Sequence, residues 1–172
     1  ITVVAISFVD RYMPDFIYNN LYREKIRKNS VLIVSFAVIL ISYMISFLKH
    51  FPTVMTYDSY YILGQAIGDL PLSDWHPVLY TMFVRSFVSL GLLVNNINAG
   101  IAIFSIAQIL IFSAILAYSI MWVYDKGVLL FFVVALLVYY AFSPVFSVLS
   151  FTVWKDVLFA SFSLLYTLAL FD

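Results

Sequence analysis

Residues 101–124 read IAIFSIAQILIFSAILAYSIMWVY, a stretch without a single charged side chain. A helix of about 20 predominantly apolar residues is long enough to cross the hydrocarbon core of a bilayer. Trp122 and Tyr124 stand at one end of this stretch, where aromatic side chains commonly anchor a span at the lipid–water interface. The stretch therefore predicts a transmembrane helix, and with it a membrane-protein fold.

The composition of the whole chain favours the same interpretation. Of 172 residues, 65% are hydrophobic and 10% are charged, whereas a soluble domain is about half apolar and a quarter charged. Lipid is therefore an expected partner. The net charge is zero and no basic patch accompanies an aromatic platform, so nucleic acid is not an expected partner. The chain has no cysteine, which excludes disulfides, thiolate metal sites and a cysteine nucleophile.

Other apolar runs indicate that the chain crosses the membrane several times. Residues 31–48 (VLIVSFAVILISYMISFL) form an uncharged span, and residues 128–149 form another that Pro144 interrupts. A further apolar run begins at residues 157–171. The predicted fold class is therefore all-α, a multi-pass transmembrane helical bundle. We expect residues 31–172 to be the N-terminal part of a larger multi-pass protein.

The first 30 residues are predicted to be a cytoplasmic basic segment. Its apolar start, residues 1–9, is either a truncated helix or a patch lying at the membrane interface. Five of the nine basic residues of the chain precede residue 30: Arg11, Arg23, Lys25, Arg27 and Lys28. Because basic residues beside a span favour the cytoplasmic side, residues 50–77 are predicted to be an external loop.

The path of residues 78–94 decides which polar segments share a side of the membrane. This apolar run carries Arg85 at its centre, and a central arginine in lipid costs at least about 2.5–3.5 kcal/mol. If the run crosses, residues 154–156 lie in the cytoplasm. If it dips in and returns, or lies along the interface, they lie outside with the 50–77 loop. Arg85 and Lys126 favour the second arrangement, with Arg85 facing protein or a water-filled cavity.

The 50–77 loop is a polar stretch between two long apolar runs, with three aspartates, both histidines and no lysine or arginine. Thr56 suits the N-cap of a helix that begins near Tyr57, which places Asp58 in its first turn. Asp58 then either complements the helix dipole or has a chemical role. If this aromatic helix lies on the membrane surface, its carboxylate is placed to act as a general base or to bind a divalent cation.

The end of the same loop supplies a second set of candidates. The sequence around Asp69 is typical of a turn, and Asp69 is expected only to stabilise that turn. Asp74, Trp75 and His76 precede Pro77, which suits the first position of a helix. Their polar side chains either cap that helix or form a cluster in which His76 carries a proton or binds a ligand.

Three short motifs carry a resemblance to a known family. Tyr57-Asp58-Ser59, Asp74-Trp75-His76-Pro77 and Trp154-Lys155-Asp156 resemble the N-terminal part of the GT-C superfamily of membrane glycosyltransferases. The series is more closely similar to an uncharacterised bacterial multi-pass family with this layout, over roughly residues 30–172. The resemblance implies transfer of a sugar from a polyprenyl-phosphate donor to an acceptor at the outer face of a bacterial plasma membrane.

The resemblance also implies roles for individual residues. Asp58 matches the catalytic base or metal-associated carboxylate of the first external loop. Asp156 matches a second external aspartate, which organises the site or its metal, Mg or Mn. His76 begins the segment after the interfacial helix and supports catalysis. Several members carry an acidic residue where this chain has Ser59, which leaves metal use open.

The remaining candidates are predicted to bind substrate. Lys155 and Arg85 carry the charge needed to bind a lipid phosphate, and Tyr57, Asp74 and Trp75 lie beside the catalytic candidates. A motif of tryptophan, lysine and aspartate is also typical of a simple interfacial anchor. Two other functions stay open, a transporter or lipid flippase with a broken helix and a buried arginine, and a non-catalytic membrane scaffold.

Overall fold

The computed structural model describes residues 28–171, and within this part every regular element is an α-helix. The all-α prediction is confirmed there. The predicted apolar start at residues 1–9 and the basic residues before Lys28 lie outside the described part. The helices are α1 (Lys28–Lys49), α2 (Tyr57–Ile67), α3 (Val78–Leu92), α4 (Ile97–Asp125), α5 (Leu130–Phe142), α6 (Pro144–Leu149) and α7 (Lys155–Leu170).

Two helices of the described part, α1 and α4, are long and apolar enough to cross a membrane. They contain 22 and 29 residues and extend over about 33 Å and about 44 Å at the helical rise. Both match spans predicted from the sequence. The third predicted span, 128–149, is divided into α5 and α6 where Pro144 begins the second helix, because proline cannot continue the hydrogen bonding of the helix before it.

Helix α4 lies at the centre of the bundle and contacts α1, α3, α5 and α7. Its buried residues are spread along its length, as expected for a helix surrounded by protein. The larger core cluster joins α1 to α4, where the Tyr43 ring stacks on Phe112 with centroids 6.0 Å apart. A second cluster joins α2 and α3 to the first part of α4, around Phe104.

Contacts between distant segments define the two ends of the bundle. At one end, here called the loop end, Ser59 Oγ donates to the Val153 carbonyl at 2.7 Å. Residues Val54 and Thr152 also form an isolated bridge there. At the opposite end, Lys28 Nζ lies 3.6 Å from the Asp125 carboxylate. Segments 50–56 and 150–156 therefore share the loop end.

Helix α3 has both of its ends near the loop end. Residue His76, just before α3, contacts Lys155, and Gly91 packs against the backbone of Gly100 in α4. Gly100 lies only one and a half helical turns before Ser105, which hydrogen-bonds to the Pro52 carbonyl at the loop end. The described structure therefore agrees with the arrangement in which residues 78–94 do not run the length of the bundle.

Two details of α3 differ from the sequence predictions. Arg85 is exposed and does not face protein, because it lies outside the helix stripe that packs on α4, which includes Val84 and Val88. The described part therefore does not show Arg85 facing protein, and the other expectation, a water-filled cavity, stays a prediction. Pro77 occupies the N-cap of α3 instead of its first helical position, which shifts the predicted start by one residue.

Candidate functional site

A cavity of about 410 Å³ opens at the loop end, between α2 and the segment that follows it. Four residues singled out from the sequence line it: Tyr57, Asp58, Trp75 and His76. Its other lining residues are Tyr61, Gln65, Leu70, Pro71 and Ser73. The volume falls in the range of about 300–1,000 Å³ that is typical of small-molecule sites.

The start of α2 fixes the position of Asp58. Thr56 is the N-cap, as predicted, and forms a capping box with Ser59. The Ser59 N–H donates to Thr56 Oγ1 at 3.3 Å, and the Thr56 N–H donates to Ser59 Oγ at 2.9 Å. Asp58 is thereby held in the first turn, half-buried at the cavity wall, where its carboxylate both complements the helix dipole and faces the cavity lining.

The end of α2 turns the chain back toward Asp58. Gly68 adopts a φ of 95°, which glycine tolerates and other residues rarely adopt. The N–H groups of Gly68 and Leu70 both donate to the Gly64 carbonyl, a helix-terminating pattern that reverses the chain. The following residues consequently form the second cavity wall. Asp69 is exposed in this turn and does not line the cavity.

His76 and Lys155 meet although 79 residues separate them in sequence. The Lys155 Nζ lies 3.2 Å from His76 Nδ1, and His76 is only 1% exposed. A protonated lysine has donors and no acceptor, so Nδ1 must accept and the ring proton must sit on Nε2. The contact thus places the Lys155 side chain against the His76 ring that lines the cavity, and it unites two of the predicted site residues.

Gln65 is a cavity residue that the sequence reasoning missed. It is 3% exposed, and its Nε2 donates to Ser73 Oγ at 3.0 Å. Its carbonyl oxygen Oε1 is buried and has no hydrogen-bond partner among the described residues. The spacing of Asp58, Tyr61 and Gln65 along α2 is three and seven residues, which places all three on one helix face and could have identified Gln65.

Two tyrosines form the outer rim of the cavity. The rings of Tyr57 and Tyr61 lie 5.3 Å apart. The pKa of Tyr57 is raised above its ordinary value, first by the hydrogen bond with Tyr61 and the charge of that side chain, and then by burial and the Asp58 carboxylate. Its phenol consequently stays protonated, and the rim adds no negative charge to that of Asp58.

Four predicted site residues lie outside the cavity lining. Asp74 and Asp156 are exposed, Arg85 is exposed on α3, and Lys155 is half-buried behind His76. Asp156 nevertheless lies in the first turn of α7 at the loop end. Its negative charge acts on Tyr80, whose pKa is raised chiefly by burial and additionally by Asp156.

A metal site is not evident from the geometry. Asp58 is the one carboxylate among the cavity-lining residues. Within residues 28–171, no group of three or more histidine, cysteine, aspartate or glutamate side chains is placed to hold a metal ion. The predicted Mg or Mn site would need Asp156 to join Asp58, so it stays a prediction.

Comparison of the chain with protein-family models, with curated proteins and with solved structures gives no match.

Proposed function

We propose that the chain is part of a multi-pass membrane glycosyltransferase that moves a sugar from a polyprenyl-phosphate donor to an acceptor at the outer face. One observation carries the proposal: Asp58 and His76 line a single cavity, and Lys155 contacts His76 from outside the lining. A carboxylate suits a general base, and a nearby ammonium suits the charge of a departing phosphate.

The proposal includes further membrane-crossing segments besides α1 and α4. Helices α5 and α6 together extend over residues 130–149, about 30 Å at the helical rise, and α7 extends over about 24 Å. Large apolar side chains are exposed on the outside of these helices and of α1: Ile41, Ile45, Phe131, Phe142, Phe159 and Phe162. Lipid tails would cover these apolar surfaces, whose exposure to water would be unfavourable.

The same proposal places the loop end outside a bacterial plasma membrane. Lys28 and Lys126 lie at the opposite end, where basic residues favour the cytoplasmic side. Exposed Tyr57, Tyr60 and Trp75 suit the lipid–water interface at the loop end. The cavity would then open where the head of an amphiphilic, lipid-linked donor resides.

The proposed reaction follows from the positions of the charged groups. Asp58 would take the proton of the acceptor hydroxyl, whose oxygen forms a bond to the donor sugar carbon. The bond between that carbon and the phosphate oxygen breaks, and polyprenyl phosphate leaves with the electron pair. Lys155 has three N–H donors; one serves His76, and two can offset the phosphate charge. No step requires Arg85, and none is assigned to a metal.

Replacement of the proposed base tests this function. In lipid nanodiscs, the multi-pass protein that contains this chain should transfer radiolabelled sugar from a polyprenyl-phosphate donor to an acceptor, and Asp58→Asn should slow this turnover about 10²- to 10⁴-fold. Asp69→Asn removes the same charge from the same loop outside the cavity, and it should keep the wild-type rate.

Two results would contradict the proposal. Equal turnover by wild type and Asp58→Asn would remove Asp58 as the base. Passage of intact donor between the leaflets of a vesicle, with no cleavage of the sugar–phosphate bond, would instead indicate a lipid flippase.

A further inference from the structure

One acceptor of the cavity-lining residues has no hydrogen-bond donor among the described residues. Gln65 Oε1 is buried without a partner among the described residues, and the Asp58 carboxylate can only accept. The Gln65 amide is thus paired on its nitrogen, where Nε2 donates to Ser73 Oγ, and unpaired on its oxygen within the described residues. A buried acceptor left unpaired costs free energy, and a ligand that brings a hydroxyl donor to this wall would remove that cost.

The charge at the cavity argues against an anionic occupant. Asp58 is the one ionised side chain among the residues that line it. The nearest described cation, Lys155, contacts the His76 ring and does not belong to the lining. A phosphate inside the cavity would therefore face the Asp58 carboxylate without a cation among the lining residues. Repulsion between these two negative charges disfavours that arrangement.

Aromatic faces line the mouth of the same cavity. Trp75 is 82% exposed and Tyr61 is 44% exposed, although both are large and partly apolar. Such rings offer a flat apolar surface beside polar groups. A sugar ring presents a matching surface, with C–H groups on one side and hydroxyl donors around its edge.

We propose that this cavity binds an uncharged, hydroxyl-rich ring, and that Gln65 is a specificity-determining residue that accepts a hydrogen bond from one of its hydroxyls. The proposal deepens the proposed function and rests on it in assigning the ring to a glycosyl-transfer substrate. Trp75 and Tyr61 supply the apolar contact, while the phosphate of a donor stays outside, toward Lys155. The ring belongs either to the donor sugar or to the acceptor.

Saturation-transfer NMR on the full chain in lipid nanodiscs tests the binding directly, because it detects weak ligands and needs no turnover. The probes are methyl hexosides, methyl phosphate and choline, which present neutral, anionic and cationic heads. We expect the saturation-transfer signal of a methyl hexoside to exceed the signal that it gives with empty nanodiscs. Methyl phosphate and choline should give no more signal than they give with empty nanodiscs. A polyprenyl-phosphate hexose that displaces the hexoside assigns the ring to the donor; failure to displace it assigns the ring to the acceptor.

Variants of two lining residues decide the role of Gln65. Gln65→Leu removes the unpartnered oxygen together with the amide that donates to Ser73, and it should weaken hexoside binding about three- to tenfold; the unfolding temperature shows that the variant is folded. Trp75→Ala, at a surface position, should reduce the saturation of the hexoside ring protons. Asp69→Asn should leave hexoside binding unchanged. The proposal is overturned if methyl phosphate or choline binds in place of the hexoside, if no hexoside binds, or if both variants bind it as the wild type does.

This experiment separates the two proposals. Hexoside binding that depends on Gln65 would stand even if Asp58→Asn left donor turnover unchanged. The opposite result is also informative. If turnover depends on Asp58 but hexoside binding does not depend on Gln65 or Trp75, the proposed transferase function stands and the proposed ring site does not.

Discussion

The two histidines of the chain occupy opposite hydrogen-bonding environments. His50 Nδ1 lies 2.9 Å from the Ser46 carbonyl oxygen, which can only accept, so this nitrogen must carry the proton when His50 is neutral. His76 Nδ1 faces the Lys155 ammonium and must accept. The difference matters because the position of the ring proton sets which atom of His76 can donate to a substrate.

These environments predict opposite tautomers. In mildly alkaline solution, the ¹⁵N NMR shifts of ring-labelled histidines should show a protonated Nδ1 for His50 and an unprotonated Nδ1 for His76. Lys155→Met removes the donor and should redistribute the His76 proton, while His50 serves as the unchanged internal control. A protonated Nδ1 in neutral His76 of the wild type would contradict the proposed pairing.

Some residues of the site could be identified from local sequence, and others could not. Thr56 and Asp58 follow from helix-start chemistry, which depends on neighbours a few positions away. The contact of His76 with Lys155 depends on the path of the chain between two positions that lie 79 apart in sequence. Arg85 was expected to be enclosed because its run is apolar, but periodicity does not say which face of a helix its neighbours cover.

At the scale of elements, side chains of α4 secure the segments of the loop end. The Gln108 Nε2 lies within 3.2 Å of three carbonyl oxygens, those of Leu149, Ser150 and Thr152. Ser105 Oγ lies 3.1 Å from the Pro52 carbonyl oxygen and 3.4 Å from that of Phe151. These two polar groups lie about one turn apart in a largely apolar helix, and they hold together the two segments that carry the site.

Two serines of α4 provide a matched pair for testing this role. Ser105 and Ser113 are both fully buried, but Ser113 Oγ has no hydrogen-bond partner within the described residues. Ser105→Ala should lower the free energy of unfolding by about 0.5–1.5 kcal/mol, whereas Ser113→Ala should leave it unchanged or raise it. Denaturant unfolding in mixed micelles measures both, and equal losses would contradict the assignment.

The helices themselves were largely predictable from the sequence. Uncharged runs located α1 and α4, and Pro144 located the break between α5 and α6, because each signal acts within one element. The first turn of α2 was also predictable from its cap. The stacking of α3 on the start of α4, with Gly91 against Gly100, depends on tertiary packing, and hydrophobic pattern alone could not distinguish it from a crossing helix.

At the scale of the whole molecule, the account depends on the common location of segments 50–77 and 154–156. Their shared end follows from contacts between α2, α7 and the segments before them. If the bundle lies in a membrane as proposed, both segments must face the same side, and the connection between α4 and α5 must face the other. A crossing by residues 78–94 would separate the two halves of the site.

Site-directed labelling tests that central claim most directly, because the chain has no cysteine of its own. Single cysteines replace the exposed residues Asp69, Asp156 and Val128, and a membrane-impermeant maleimide is added to sealed, oriented vesicles. The account predicts that Asp69→Cys and Asp156→Cys are labelled from one side, and Val128→Cys only after the vesicles are opened. Labelling of Asp69→Cys and Asp156→Cys from opposite sides would contradict it.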